Sequence, residues 1–243
     1  MTPTGRARIE QEVIDTSVLV GTGLKGISAV LGVTERGVIG EAVLVGSWNE
    51  YVRHFGGLLP KEVSEFPLYC RRALERGGKL RIARVGHYTD ITNKTTLVGV
   101  KASKKIENNG KEIKFEANSV GKWGNNVIVK VTPAKNGAAN QFDFEISIKG
   151  FPDLTEIIPN LNKVLTETDI ATFNMKSSYV VLTSTGADVT AGSYQLANGA
   201  FDESTITETD YIGDVTAGNG IHVFDNYNDF VKIAIPDQAK PNI

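Results

Sequence analysis

The run Gly21-Thr22-Gly23-Leu24-Lys25-Gly26 spells GxGxxG directly after an apolar, β-branched stretch. In a dinucleotide site such glycines let the backbone approach a pyrophosphate at a helix N-terminus, and an acidic residue about twenty positions on meets the ribose. Glu41 stands at about that distance. The stretch after the glycines, however, is ISAVLGV and then Gly37 and Gly40, which is β-branched and interrupted where a three-turn helix is required. A glycine-rich turn between strands is the plainer reading, and a strand through Ile27 to Val33 would exclude a nucleotide-dependent enzyme. No Walker A run is present.

Other reactive types are scattered. His54, His87 and His222 have no second histidine at i+3 or i+4, so no metal-ligand pattern supports them. The single cysteine, Cys70, sits on the apolar stripe of a helical pattern and reads as a small core residue. Gly26-Ile27-Ser28-Ala29-Val30 lacks the second glycine of a nucleophile elbow. Asp225-Asn226-Tyr227-Asn228-Asp229 begins like a calcium loop, but Tyr227, Phe230 and Pro236 fall where ligands or glycine are needed. Lys101 to Lys105 (KASKK) has no interleaved aromatics for base stacking and reads as one solvated side of a hairpin. No catalytic residue, cofactor or metal is expected.

The elements around these residues are clearer. Val13–Val20, Ile27–Val33 and Glu41–Val45 read as strands. Ser47-Trp48-Asn49-Glu50 is a capping box that opens a short helix with Trp48, Tyr51, Val52 and Phe55 on one face, stopped by Gly56-Gly57. A second helix from about Ser64 to Arg76 carries Phe66, Tyr69, Cys70, Ala73 and Leu74 and ends at Gly77-Gly78. Leu80–Val85 alternates like a half-buried strand.

From Thr89 the texture becomes β-rich. Ile113/Phe115/Ala117, Val127/Val129/Val131 and Phe142/Phe144/Ile146/Ile148 alternate, with Tyr179–Thr183 closing the stretch. The joints Asn108-Asn109-Gly110, Gly124-Asn125-Asn126 and Asn136-Gly137 read as turns between hairpin strands. Leu154–Val164 and Thr168–Phe173 are read as helical turns, Thr207–Ile212 as a short helix and Phe230–Ile235 as a buried strand. The expected fold class is α+β: a small α/β unit formed by the two chain ends, with an inserted β-sandwich-like domain. The expected division is an arm over 1–20, an outer unit over 21–88 plus 194–243, and the insertion over 89–193.

Composition sets outer bounds. With 41% hydrophobic and 22% charged residues, the 243-residue chain has the profile of a soluble globular protein. A net charge of −2 argues against a general nucleic-acid binder. No apolar run approaches a membrane span, so no membrane insertion is expected, and Met1–Gln11 has no secretory h-region. The 25 glycines imply many turns.

The order of these motifs resembles a known family. Gly26 to Gly57 is similar to the N-terminal region of contractile-tail sheath proteins of bacteriophages, with an apolar strand, a Gly-x-Thr-x-Arg-Gly turn (Gly32 to Arg36-Gly37), a second strand and a helix ending Phe55-Gly56-Gly57. The family's next helix stop and arginine-bearing strand correspond to Gly77-Gly78 and Arg84. Its Gly-x-Trp-Gly-Asn signature is present as Gly121 to Trp123-Gly124-Asn125, and Tyr194 to Asp214 resembles its return segment ending Asp-Tyr-Ile-Gly. The likeness runs over about residues 13–240 and rests on five weak motifs in one order. Val38 stands where the family often has proline, and the sequence stops at Ile243 where sheath proteins usually continue into a C-terminal domain.

The resemblance implies a structural role in a virion tail, with synthesis in the host bacterial cytoplasm. Sheath subunits polymerise around an inner tail tube, anchored at a baseplate, and contract to drive the tube through a target envelope. Terminal arms add strands to neighbouring subunits. Here Val13, Ile14, Val18 and Val20 would lie in the N-terminal arm, while the outer unit would be incomplete and the chain alone a monomer. The motif residues Gly32, Arg36, Gly37, Phe55, Gly56, Gly57, Gly77, Gly78, Arg84, Trp123, Gly124 and Asn125 would be scaffold. The alternative from the residues alone is a β-sandwich that presents loops to carbohydrate or protein, with a concave, aromatic-rimmed patch.

Overall fold

Apolar β-branched runs near the start of the chain form a sheet, with no phosphate-cradling helix after Gly26. The computed structural model describes residues 26–108 and 110–239. In chain order the elements are β1 (Ile27–Gly32), β2 (Ala42–Val45), α1 (Trp48–Phe55), α2 (Phe66–Glu75), β3 (Lys79–Arg84), β4 (Ser103–Asn108), β5 (Lys111–Ala117), β6 (Val127–Pro133), β7 (Gln141–Ile148), β8 (Phe151–Asn162), α3 (Glu167–Lys176), β9 (Val180–Ser184), β10 (Gly192–Gln195), α4 (Glu208–Ile212) and β11 (Phe230–Ala234). The class is α+β.

The first sheet has the order β11-β1-β3-β2, with β11, β1 and β3 parallel and β2 antiparallel. Both of its faces are covered. Val30, Val45, Leu80 and Ile82 meet Tyr51, Phe55, Phe66, Cys70 and Leu74 of α1 and α2. Ala29, Leu31, Val33, Ala42, Ala83 and Val85 meet Tyr211, Val223 and Phe224 from the chain's later part. The alternation in Leu80–Val85 predicts one wet face, and here the structure differs: β3 lies between two neighbours with cover on both sides, and Arg84 at its end is 1% exposed. The opposite correction applies to Phe230–Ile235. The sequence suggests a buried strand, but among the described residues β11 is the edge of the sheet, with Val231 71% exposed.

Two antiparallel sheets follow, β10-β6-β7-β8 and β4-β5-β9, and they share one core. Ile113, Phe115, Ala117, Val180 and Leu182 pack there with Val127, Val129, Val131, Phe144, Ile146 and Ile158, the alternate residues that a pleated strand turns to one face. The turn at Gly110 joins β4 to β5, and Gly137 lies between β6 and β7, both with positive φ. Gly124-Asn125-Asn126 makes no hairpin; it ends a 3-10 turn, Lys122–Asn126, that carries the chain from one sheet to the other.

Leu154–Val164, where helical turns are expected, is strand as far as Asn162. Leu154, Ile157, Ile158 and Leu161 have helical spacing, yet the pairing Phe144↔Ile158 and Phe142↔Leu161 shows an extra residue on β8. A bulge at Asn160 (φ 62°), whose N–H donates to the buried Asp143 carboxylate at 3.0 Å, turns both Ile158 and Leu161 inward. Thr168–Phe173 is helical as expected, within the longer α3, and the short β10 has no counterpart in the sequence reading.

Candidate functional site

The turn after β1 is tied to the end of α1. Arg36 N–H donates to the Phe55 carbonyl at 3.1 Å, and an Arg36 Nη2 hydrogen bond reaches the Val52 carbonyl. Glu35 Oε2 accepts the Gly57 N–H at 2.7 Å. Gly56 has φ 91°, and a Cβ there would lie 2.3 Å from Glu35 Oε2, so this glycine is demanded by the turn it touches. The capping box at the other end of α1 is present with one shift: Ser47 Oγ accepts the Glu50 N–H at 3.2 Å, while the Glu50 carboxylate takes the Gly46 N–H at 2.9 Å.

Two arginines close the space between the first sheet and the two-sheet core. Arg36 is 1% exposed, with its guanidinium carbon 4.9 Å from the Phe151 ring centroid, 5.5 Å from Tyr179 and 5.9 Å from Trp123. Arg84 Nη1 donates to the Gly37 and Val120 carbonyls, both at 3.0 Å, and its guanidinium carbon lies 5.1 Å from the Phe201 ring. Gly37 N–H in turn donates to Ser119 Oγ at 3.3 Å. Among the described residues neither arginine has a carboxylate in ion-pair contact. Burial lowers the Arg36 pKa, against the pull of Glu35; burial pushes Arg84 down to about 10, against Glu203 and Glu35. At neutral pH both are cations, balanced by carbonyl dipoles and ring faces.

Trp123 is 3% exposed. A Cβ on Gly124 would stand 2.7 Å from the Ala102 Cβ and 3.0 Å from the Ala117 Cβ of β5, so the backbone turn sits directly on its neighbours. Asn125 then grips the return segment from both sides: its Oδ1 accepts the Gly199 N–H at 2.8 Å and its Nδ2 donates to the Gly199 carbonyl at 3.0 Å. The structure thus brings Arg36, Gly37, Phe55, Gly56, Gly57, Arg84 and Trp123 to one junction, with Gly124 and Asn125 beside it. Gly32 and Gly77-Gly78 stand apart and serve α2. A Cβ on Gly32 would enter the Phe66 ring at 2.2 Å, and the Gly77 and Gly78 N–H groups donate to the Leu74 and Ala73 carbonyls at 2.9 and 3.0 Å. Val13, Ile14, Val18 and Val20 lie outside the described residues.

The remaining candidates are structural in their contacts. Gly26 precedes strand β1, which removes the dinucleotide reading. Cys70 is fully buried, and burial raises its thiol well above the ordinary value, the reverse of an activated nucleophile. His54 is exposed on α1, His87 Nδ1 lies 2.9 Å from Asp210, and His222 Nδ1 lies 2.8 Å from Asp225. Among the described residues no three His, Cys, Asp or Glu side chains gather to hold a metal, and no helix is long and apolar enough to cross a membrane.

Sequence reasoning missed two carboxylates. Asp210 accepts from Thr207 N–H at 2.8 Å and Tyr88 N–H at 3.2 Å. Asp237 accepts from Ser64 Oγ at 2.8 Å and Val33 N–H at 3.3 Å. The Thr207-x-x-Asp210 spacing carried a capping signal for the first; the second joins positions too distant to pair by pattern.

No protein-family model matches the chain, and no curated protein does. Solved structures do. A sheath tail protein from Listeria innocua superposes with a TM-score of 0.59 at 18% identity, covering 89% of this chain and 41% of that one. A sheath tail protein from Desulfitobacterium hafniense gives 0.54 at 19% identity, covering 88% of this chain and 42% of its own. This chain has the sheath-tail fold. It spans about two fifths of the length of both sheath tail proteins. Within it, the aromatic residues Trp123, Phe151 and Tyr179 are turned onto Arg36.

Proposed function

We propose that this chain is a structural subunit of a contractile tail sheath. The observation that carries the reading is the sheath-tail fold itself, shared over nearly nine tenths of the chain. The buried junction agrees with it: its charged groups are spent on carbonyls and rings inside the molecule, as a scaffold would spend them. In this reading subunits polymerise around an inner tube, anchored at a baseplate, in the tail of a virion made in the bacterial cytoplasm. Contraction draws on energy stored in a bistable packing, with no catalytic step in the subunit. The chain divides into an arm over 1–20, an outer unit over 21–88 plus 194–243, and an insertion over 89–193. Alone, residues 1–243 stay monomeric.

Negative-stain microscopy of the natural gene product carrying these residues tests the reading. Rings or tubes of one diameter are expected. Dispersed particles at every concentration would overturn it.

A further inference from the structure

We propose that Arg36 is the lock that makes the first sheet and the two-sheet core move as one body. The backbone joining them crosses twice, once between β3 and β4 and once between β10 and α4. The two crossings pair as a thin ribbon: Val100 N–H donates to the Ala200 carbonyl at 2.7 Å, the reverse bond is 2.9 Å, and Ser103 and Ala197 exchange bonds of 2.9 and 3.1 Å. A two-stranded ribbon by itself is a poor strut, because it bends and twists about its long axis.

Arg36 supplies a contact outside that ribbon. It leaves the turn after β1 and reaches three rings that belong to three separate segments: Trp123 in the turn before β6, Phe151 at the start of β8 and Tyr179 just before β9. Its Nε and Nη1 are buried without a hydrogen-bond partner among the described residues. Beyond the Val52 carbonyl, the ring faces carry the compensation for this charge, and any rotation of one body against the other would withdraw them. The Gly37–Ser119 bond and the Arg84–Val120 bond bracket the same contact. An arginine needed only to cap α1 through Val52 would require none of the three rings.

The lock is independent of the sheath reading, since its test uses the 243-residue chain alone. Amide exchange is followed at Val100, Ala200 and Gly121, whose bonds form the ribbon and its attachment. Arg36→Met keeps the bulk and removes the charge, and it should speed exchange at those amides by about tenfold or more. Phe151→Leu, which leaves the Arg36–Val52 bond in place, should do the same on its own, and the double variant should add little. Arg36→Lys, which restores a cation, should slow exchange again. If Arg36→Met fails to fold, Phe151→Leu decides alone. Ribbon amides as slow as wild type in Phe151→Leu would overturn the lock. So would an Arg36→Met effect confined to residues 52–57, or Arg36→Lys behaving as Arg36→Met.

Discussion

A guanidinium taken out of water without a carboxylate carries an effective penalty of several kcal/mol, and this chain accepts it at both Arg36 and Arg84. At Arg84 the return comes from the Gly37 and Val120 carbonyls, which have the guanidinium as donor. Arg84→Met removes an unpaired charge but strands two buried acceptors at about 1–3 kcal/mol each. The carbonyl term should win, with a net loss of about 1–3 kcal/mol in urea unfolding; a more stable variant would show that the charge burden dominates. The pH signature is specific. Arg84 sits near 10 in the fold, well below the ordinary guanidinium value, so its charged form is the disfavoured one. That burden is complete below the lower value and lifts only as pH rises between the two. The difference between wild type and Arg84→Met should therefore stay constant from about pH 6 to 9. Two glycines give a further contrast. Gly77 has φ 82° with open space around it, so Gly77→Ala should cost only the backbone term of about 1–2 kcal/mol. Gly56 adds a collision with Glu35, and Gly56→Ala should cost clearly more by the same denaturation assay.

At the scale of elements, α3 shows how local chemistry sets a helix end. Thr166 Oγ1 accepts the Asp169 N–H at 3.1 Å, while Asp169 Oδ2 accepts from Thr166 N–H at 2.9 Å and Asn162 Nδ2 at 2.9 Å. Burial alone would raise the Asp169 pKa; the hydrogen bonds from Thr166 and Asn162 outweigh it and leave it lowered. A carboxylate depressed in the fold contributes stability above its unfolded value, near 3.9, and loses it as pH falls through the lower folded value. Asp169→Ala should cost about 1 kcal/mol at pH 7, and that difference should shrink as pH falls below the ordinary carboxylate range. Elements defined this locally were legible in the sequence: the cap at Ser47, the stripe of α2 and the turns at Gly110 and Gly137. Those shaped by distant partners were not. β8 has a helical spacing because a bulge at Asn160 turns both Ile158 and Leu161 inward, and the pairing that reveals the bulge lies on β7. β3 and β11 each have the burial that their place in the sheet dictates, and one strand's pattern does not state whether it is central or edge. The junction was legible as motif residues and illegible as a site. Arg36, Arg84 and Trp123 are far apart in sequence, and Phe151 and Tyr179 belong to no motif at all.

For the molecule as a whole, the described residues gather into three apolar clusters. They cover both faces of the first sheet and fill the space between the other two sheets. We propose for the apolar stretch Val13 to Val20 a role between molecules rather than inside one of those cores, because a strand of that composition has its natural use at a sheet edge. Among the described residues the first sheet ends at such an edge, β11, where Val231 is largely exposed. If that role is right, removing residues 1–20 from the natural gene product leaves its melting temperature within about one or two degrees of the intact protein. The same deletion should abolish rings and tubes in negative stain. Loss of the fold would place those residues inside a core after all, and unchanged polymers would show that assembly does not run through them.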